Sequence, residues 1–189
     1  LKKSKNPCRI HHLDLSMSFL GKEDIESLID ILDQRKDIVL TKLRLAYNAL
    51  DDEAAPYILR LMLKCSGLTY FDLSFNNLGD AGVNFIASGC LKCKKLQSLY
   101  LTHNHIGDEG AGCLSEAMRA NKNLKVCNID HNAAVSAEAL SVFNEVRLGR
   151  HVSQPKGNSF AARLRRAATQ SKKATSAPKP RGPHQRTAT

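Results

Sequence analysis

One pattern recurs along the chain at a nearly constant spacing, and this recurrence limits the possible folds more than any other feature. The segment LTYFDLSFNNLGDAG (Leu68 to Gly82) returns 28 residues later as LQSLYLTHNHIGDEG (Leu96 to Gly110). Each copy fits L-x-x-L-x-L-x-x-N-x-L with substitutions. The copies begin at Ile10, Leu40, Leu68, Leu96 and Leu124, with gaps of 30, 28, 28 and 28 residues. A fixed period of this length predicts a solenoid, in which each repeat packs only against its neighbours.

Each repeat changes its hydrophobic period halfway. Apolar residues alternate at the fourth and sixth positions, for example Leu99 and Leu101, which indicates a short strand with these side chains inward. In the second half the apolar residues lie about four apart, for example Ile86 and Cys90, which indicates a helix with one stripe on the core. Residues 1–146 are therefore predicted to form an α/β solenoid.

An asparagine follows the predicted strand in four of the repeats. Its side chain carries both a donor and an acceptor, so we expect it to satisfy backbone groups where the chain turns out of the sheet. These structural turn residues are Asn48, Asn76, Asn104 and Asn132.

With these features the blocks resemble leucine-rich repeats of the long, helix-bearing type found in ribonuclease inhibitor and in the sensor arms of NLR-type receptors. The segment NPCRIHHLDLS, Asn6 to Ser16, is similar to the inter-repeat junction of that subfamily. The resemblance implies a horseshoe segment with parallel strands on the concave side and helices on the convex side. It also implies that the molecule is mainly a binding surface.

The two ends of the array depart from the pattern. Ser18 occupies an asparagine position, the first block has two extra residues, and the fifth block is weak, as is typical of a capping repeat. The opening LKKSKNP corresponds to MRANKNL, Met118 to Leu124, where a helix leads into the next strand. A C-terminal fragment of a longer array and a degenerate N-terminal cap both fit this observation.

Charge divides the chain into two parts. Residues 147–189 contain eleven Lys or Arg and no Asp or Glu, whereas residues 1–146 contain 17 basic and 18 acidic residues. The formal net charge of +10 therefore lies in the tail. Because the tail also holds four of the six prolines and few apolar residues, we expect it to be disordered in isolation.

A run of like charge is often an interaction arm, and this one is predicted to contact RNA or an acidic protein surface. Three interpretations stay open: a short helix over Ser159–Ala168 that folds on a partner, a nucleic-acid arm, and a solvated tail. Only Phe160 supplies an aromatic ring among the basic residues, so base stacking is weakly supported. The candidate contacts are Arg163, Arg165, Arg166, Lys172, Lys173, Lys179 and Arg181.

The concave strand face is the candidate site of the array, because repeat positions 3, 5 and 8 point away from the core there. Tyr, Phe, His and Arg in neighbouring ladders resemble the anchors of protein interfaces, and the alternative is that they only pack against one another. The candidate residues are Arg44, Tyr47, Tyr70, Asp72, Phe75, Tyr100, His103, Asn128 and His131.

The six cysteines fit the repeat register better than a metal site. Cys90 and Cys127 occupy core positions, and CLKC lacks a second Cys pair or a spaced His pair. Cys65 and Cys93 occupy equivalent positions on helices about 8–10 Å apart, which is beyond disulfide reach. Free core cysteines favour a reducing, intracellular and most simply cytoplasmic location, with nuclear or organellar sites open.

Catalysis and cofactors are not predicted. We find no nucleophile with a base and an orienting group, no phosphate-binding loop, no third metal ligand for His103 and His131, and no apolar run that would span a membrane. The sequence therefore predicts a non-enzymatic protein-binding scaffold with the tail as a second contact. The alternatives are a nucleic-acid-associated or a cytoskeleton-associated protein whose tail makes the main contact.

Overall fold

Strand and helix alternate five times in the computed structural model, which describes residues 10–35 and 38–149. The strands are β1 (His12–Asp14), β2 (Lys42–Arg44), β3 (Tyr70–Asp72), β4 (Ser98–Tyr100) and β5 (Val126–Asn128). The helices are α1 (Lys22–Gln34), α2 (Ala55–Lys64), α3 (Asp80–Lys92), α4 (Asp108–Ala120) and α5 (Ala137–Arg147).

The five described strands form one parallel sheet in the order β1-β2-β3-β4-β5. Equivalent repeat positions pair with each other, so that Leu43 lies beside Leu13 on one side and Phe71 on the other. Neighbouring strands lie about 4.8 Å apart and packed helices about 8–10 Å apart, so the stack curves with its strands on the concave side. The predicted α/β solenoid is confirmed.

The core lies between the sheet and the layer of helices. Leu99 and Leu101, the inward pair of β4 and its extension, are fully buried, as are Ile86 and Cys90 on α3. Burying each such side chain contributes about 1.5–3 kcal/mol. The strand face, the outer faces of the helices and the edges where strands and helices join are the surfaces left for a partner.

The second and third repeats each hold the first turn of the next helix. The Asp52 carboxylate accepts hydrogen bonds from the backbone N–H groups of Gly79 at 2.7 Å and Gly82 at 2.9 Å, and Asp80 makes the equivalent pair of bonds to α4. A Cβ atom on Gly82 would lie 2.3 Å from the same oxygen. Close packing, rather than turn geometry, therefore explains this glycine.

All five described cysteines are buried, and Cys65, Cys90, Cys93 and Cys127 are free thiols. Cys90 and Cys127 are fully buried, which confirms them as core residues. None of the helices within residues 10–35 and 38–149 is long and apolar enough to cross a membrane.

Candidate functional site

Four rings form a continuous column along the strand face, one from each of repeats two to five. Neighbouring ring centroids lie 4.0, 4.1 and 4.4 Å apart, with planes inclined by 10–15°. We call these residues the ring column: Tyr47, Phe75, His103 and His131. The rings stack face to face, as the packing alternative predicts, and yet Tyr47, His103 and His131 remain exposed. The column is thus both internally packed and accessible.

The backbone places the ring column in an uncommon conformation. Tyr47, Phe75, His103 and His131 have φ values of 55°, 56°, 53° and 58°, in the left-handed region. Hydrogen bonds to the next repeat hold the first three of these residues, for example from the Phe75 N–H to the Thr102 carbonyl at 2.9 Å. The left-handed region costs a residue with a Cβ atom about 1–2 kcal/mol. Glycine or asparagine would adopt it more easily, so backbone geometry does not account for aromatic side chains here.

The asparagine after each ring ties two repeats together. The Asn76 amide donates to the carbonyls of Leu45 and Leu73, both at 2.9 Å, and its oxygen accepts from the Leu50 N–H at 3.2 Å. The same arrangement recurs at Asn48, Asn104 and Asn132. These side chains lie beneath the ring column and fix the backbone that carries it.

A second row of aromatic residues lies beside the column. The rings of Tyr70 and Tyr100 are 5.2 Å apart, and the Arg44 guanidinium lies 5.6 Å from the Tyr70 ring centre. Arg44 also donates to Asp14 at 3.3 Å. Burial raises the pKa of Tyr70, so its phenol stays a neutral hydrogen-bond donor at neutral pH. Asp72 lies next to Tyr70, with the carboxylate 3.4 Å from the phenol oxygen.

The predicted face residues therefore lie on one surface. Asn128 is half-buried on β5 in the ladder of Asp72 and Tyr100, and its oxygen accepts from the Asp130 N–H at 2.8 Å. Whether these residues bind a partner stays a prediction. The predicted tail contacts, from Arg163 to Arg181, lie outside the described residues.

The two histidines of the column do not form a metal site with other described groups. Among residues 10–35 and 38–149, no cluster of three or more His, Cys, Asp or Glu has the arrangement that would hold a metal ion. Burial raises the pKa of the Cys127 thiol to about 12 and that of Cys93 to about 11. These thiols are therefore poor ligands and poor nucleophiles in the folded protein.

An apolar hollow of about 380 Å³ lies at the first repeat, between β1 and α1. Among the described residues its lining includes Leu13, Leu28 and Ile31, with Asp24 as the one ionisable side chain.

Sequence reasoning missed two features of the molecule. One is the set of aspartates that hold the next repeat, among them Asp52 and Asp80, although their recurrence directly after the predicted turn was a usable signal. The other is that the lysines between helices and strands gather on one edge of the solenoid, which becomes apparent only when the repeats are stacked.

Comparisons with known proteins agree with this geometry. A family model for leucine-rich repeats matches residues 64–87 and 92–115. The tropomodulin C-terminal domain of Caenorhabditis elegans is similar in structure, with a TM-score of 0.59 and 21% identity over 84% of this chain and 90% of that one. The structure of leiomodin-1 actin-binding site 2 has a TM-score of 0.59 and 16% identity, over 87% of this chain and 88% of that one. No curated protein sequence matches the chain significantly. At these identities the structural likeness concerns the fold.

Proposed function

Because this chain is a leucine-rich repeat protein, we propose that it is a non-enzymatic scaffold module that binds a protein partner through its concave strand face. The ring column is the observation that carries the proposal. Four stacked rings occupy backbone positions that disfavour them, three of the rings remain exposed, and Tyr70, Tyr100 and Arg44 lie alongside.

Preorganisation favours binding at this surface. The rings are already held by mutual stacking, so little side-chain entropy is lost when a partner covers them. Tyrosine and arginine are also the residue types that dominate interface energetics. Asp72 adds an acceptor beside Tyr70, which gives the surface the mix of apolar area and few polar groups that interfaces use.

The basic tail is proposed as the second contact. It carries eleven Lys or Arg and no acidic residue, and it follows directly on the array. Tethering a weak electrostatic contact to a weak surface contact raises the overall affinity through effective concentration. The buried free thiols of Cys90 and Cys127 support a reducing, intracellular location as part of this proposal.

The proposal is tested by capturing partners with the full chain and with two variants. Tyr70→Ala/Tyr100→Ala removes half-buried rings from the strand face, whereas Leu63→Ala/Val142→Ala removes exposed apolar side chains from two helices. We expect the full chain to capture a discrete protein, and nuclease treatment to leave this capture unchanged. The amount captured is expected to fall about tenfold or more with the strand-face variant and to stay the same with the helix variant. Thermal unfolding verifies that both variants are folded.

Two results would contradict the proposal. Equal capture by the folded Tyr70→Ala/Tyr100→Ala variant would remove the strand face as the docking surface. Capture that disappears entirely with nuclease would favour the nucleic-acid alternative, which rests on the sequence of the tail.

A cytoskeleton-associated role is the second candidate, because the similar structure of leiomodin-1 is described as an actin-binding site. Co-sedimentation of the full chain with actin filaments tests it. Binding that Tyr70→Ala/Tyr100→Ala abolishes would place actin on the strand face. Binding that depends only on the tail residues would make the tail the main contact, and the absence of co-sedimentation would remove this candidate.

A further inference from the structure

Lysines gather on one edge of the solenoid. Each described helix runs back against its strand, so the junctions that lead from helix to strand all lie on the same edge. The junctions before β4 and before β5 carry four exposed lysines beyond the ends of the helices. We call them the lysine edge: Lys94, Lys95, Lys122 and Lys125.

The two junctions are held side by side. The Asn121 amide donates to the Cys90 carbonyl at 2.7 Å and to the Cys93 carbonyl at 3.2 Å, and the Asn123 amide donates to the Lys94 carbonyl at 2.7 Å. Lys94 and Lys122 occupy equivalent positions of these neighbouring turns. The four lysines therefore extend from two adjacent turns whose backbones are bonded to each other.

The fold does not require these four charges. Lys92 and Arg119 lie in the last turns of α3 and α4, where a cation complements the helix dipole. The lysine edge lies beyond those turns. None of its four members makes an ion pair with any residue that the structure describes, and residues 91–107 and 117–129 contain no Asp or Glu.

The opposite edge carries acidic side chains that form hydrogen bonds within the fold. Asp52, Asp80 and Asp108 lie where strands lead into helices, and each accepts a hydrogen bond from a backbone N–H of the next repeat. The acidic edge is thus bonded internally, whereas the lysine edge places like charges on adjacent turns without an ion-pair partner among the residues that the structure describes. An anionic ligand would relieve this repulsion.

We propose that the lysine edge binds a short acidic segment of a partner protein. The patch spans two junctions, and towards the first repeat it ends at Lys64, which is already paired with Asp33. A patch that spans only two junctions matches the few carboxylates of a short extended peptide better than it matches a long polyanion. The rings that could stack on bases lie on the strand face, away from these lysines, which disfavours single-stranded nucleic acid.

Fluorescence anisotropy of a labelled hexaglutamate peptide, titrated with the full chain, tests the proposal. The titration is carried out at low salt, because physiological ionic strength screens interactions between exposed charges beyond about 8–10 Å. The edge variant replaces all four lysines of the lysine edge with glutamine. The matched control removes the same charge from other parts of the array, at Lys22, Lys42, Arg60 and Lys64. A third variant, the tail variant, removes it from the tail, at Lys172, Lys173, Lys179 and Arg181. We expect the edge variant to bind about tenfold more weakly and the control to bind within about twofold of the native chain.

Three results would overturn the proposal: no binding of the peptide, an equal or greater loss in the control or in the tail variant, or tighter binding of a labelled uridine hexanucleotide than of the peptide. The variant Tyr70→Ala/Tyr100→Ala is expected to bind hexaglutamate like the native chain. Failure at the lysine edge is therefore distinguishable from failure of the strand-face proposal.

Discussion

Asn76 and Asn77 are chemically identical neighbours with opposite surroundings. Asn76 is 4% exposed and is bonded to three carbonyls and one N–H, whereas the Asn77 side chain is exposed. Both residues favour turns, so propensity does not distinguish them. The repeat register does, because it assigns the ninth position to Asn76.

We predict that Asn76→Ala lowers the free energy of unfolding by about 1–3 kcal/mol, because the buried Leu50 N–H loses its acceptor. The Leu45 carbonyl still accepts a hydrogen bond from the Asn48 amide, which limits the loss of stability. Chemical denaturation measures the change, with Asn77→Ala expected to stay within about 0.5 kcal/mol of the native chain. Equal effects at the two positions would contradict the assigned role.

At the scale of the element, α3 and α4 each begin on a carboxylate from the preceding repeat. The first turn of α3 bonds to Asp52, and that of α4 bonds to Asp80. By contrast, α5 has its own cap, since the Ser136 hydroxyl accepts from the Ala139 N–H at 3.2 Å. In repeats three and four, the first turn of the helix therefore depends on a side chain of the preceding repeat, so that neighbouring repeats stabilise each other.

A double-mutant cycle at Asp52 and Gly82 tests this coupling. Asp52→Ala is expected to cost about 1–2 kcal/mol, as loss of a helix cap does. Gly82→Ala alone is expected to cost a similar amount, because the added Cβ atom displaces the same carboxylate. The double variant is expected to be little worse than either single variant, which corresponds to a coupling of about 1 kcal/mol in denaturation experiments. Additive effects would mean that the carboxylate is not displaced by the added Cβ atom.

At the scale of the whole molecule, the repeats share one core that runs from α1 to α5. Cys90 in the third repeat and Cys127 in the fifth are both fully buried parts of it. Burial raises the pKa of Cys127 to about 12 and places that of Cys90 well above its ordinary value. Their thiolate fractions are therefore very small at pH values near 8, and reaction requires opening of the core.

We predict that iodoacetamide labels Cys90 and Cys127 at the same slow rate near pH 8, because both thiols react only in the globally unfolded population. Peptide mapping by mass spectrometry separates the two thiols from the other cysteines. Labelling after denaturation supplies the fast reference rate. Much faster labelling of Cys127 than of Cys90 would show that the last repeat opens by itself.

Sequence reasoning reached the fold because the 28-residue period is a local, repeated signal. The alternation that predicts Leu99 and Leu101 as inward follows from strand geometry alone. For the face residues, the repeat register was sufficient to place Tyr47 and Phe75 in one ladder. It was not sufficient to decide how their rings would lie, because stacking depends on χ angles and on the left-handed backbone at those positions.

The sequence by itself determined the repeat unit, the inward-facing residues, the parallel solenoid and the separation of charge between array and tail, since each of these depends on spacing or composition. Only the tertiary structure decided which groups meet between repeats: the rings of the column, Asp52 with the first turn of α3, and the two junctions of the lysine edge. The physical reason is that these contacts join residues about one period apart, and their distances depend on the curvature and the side-chain geometry of the stacked repeats.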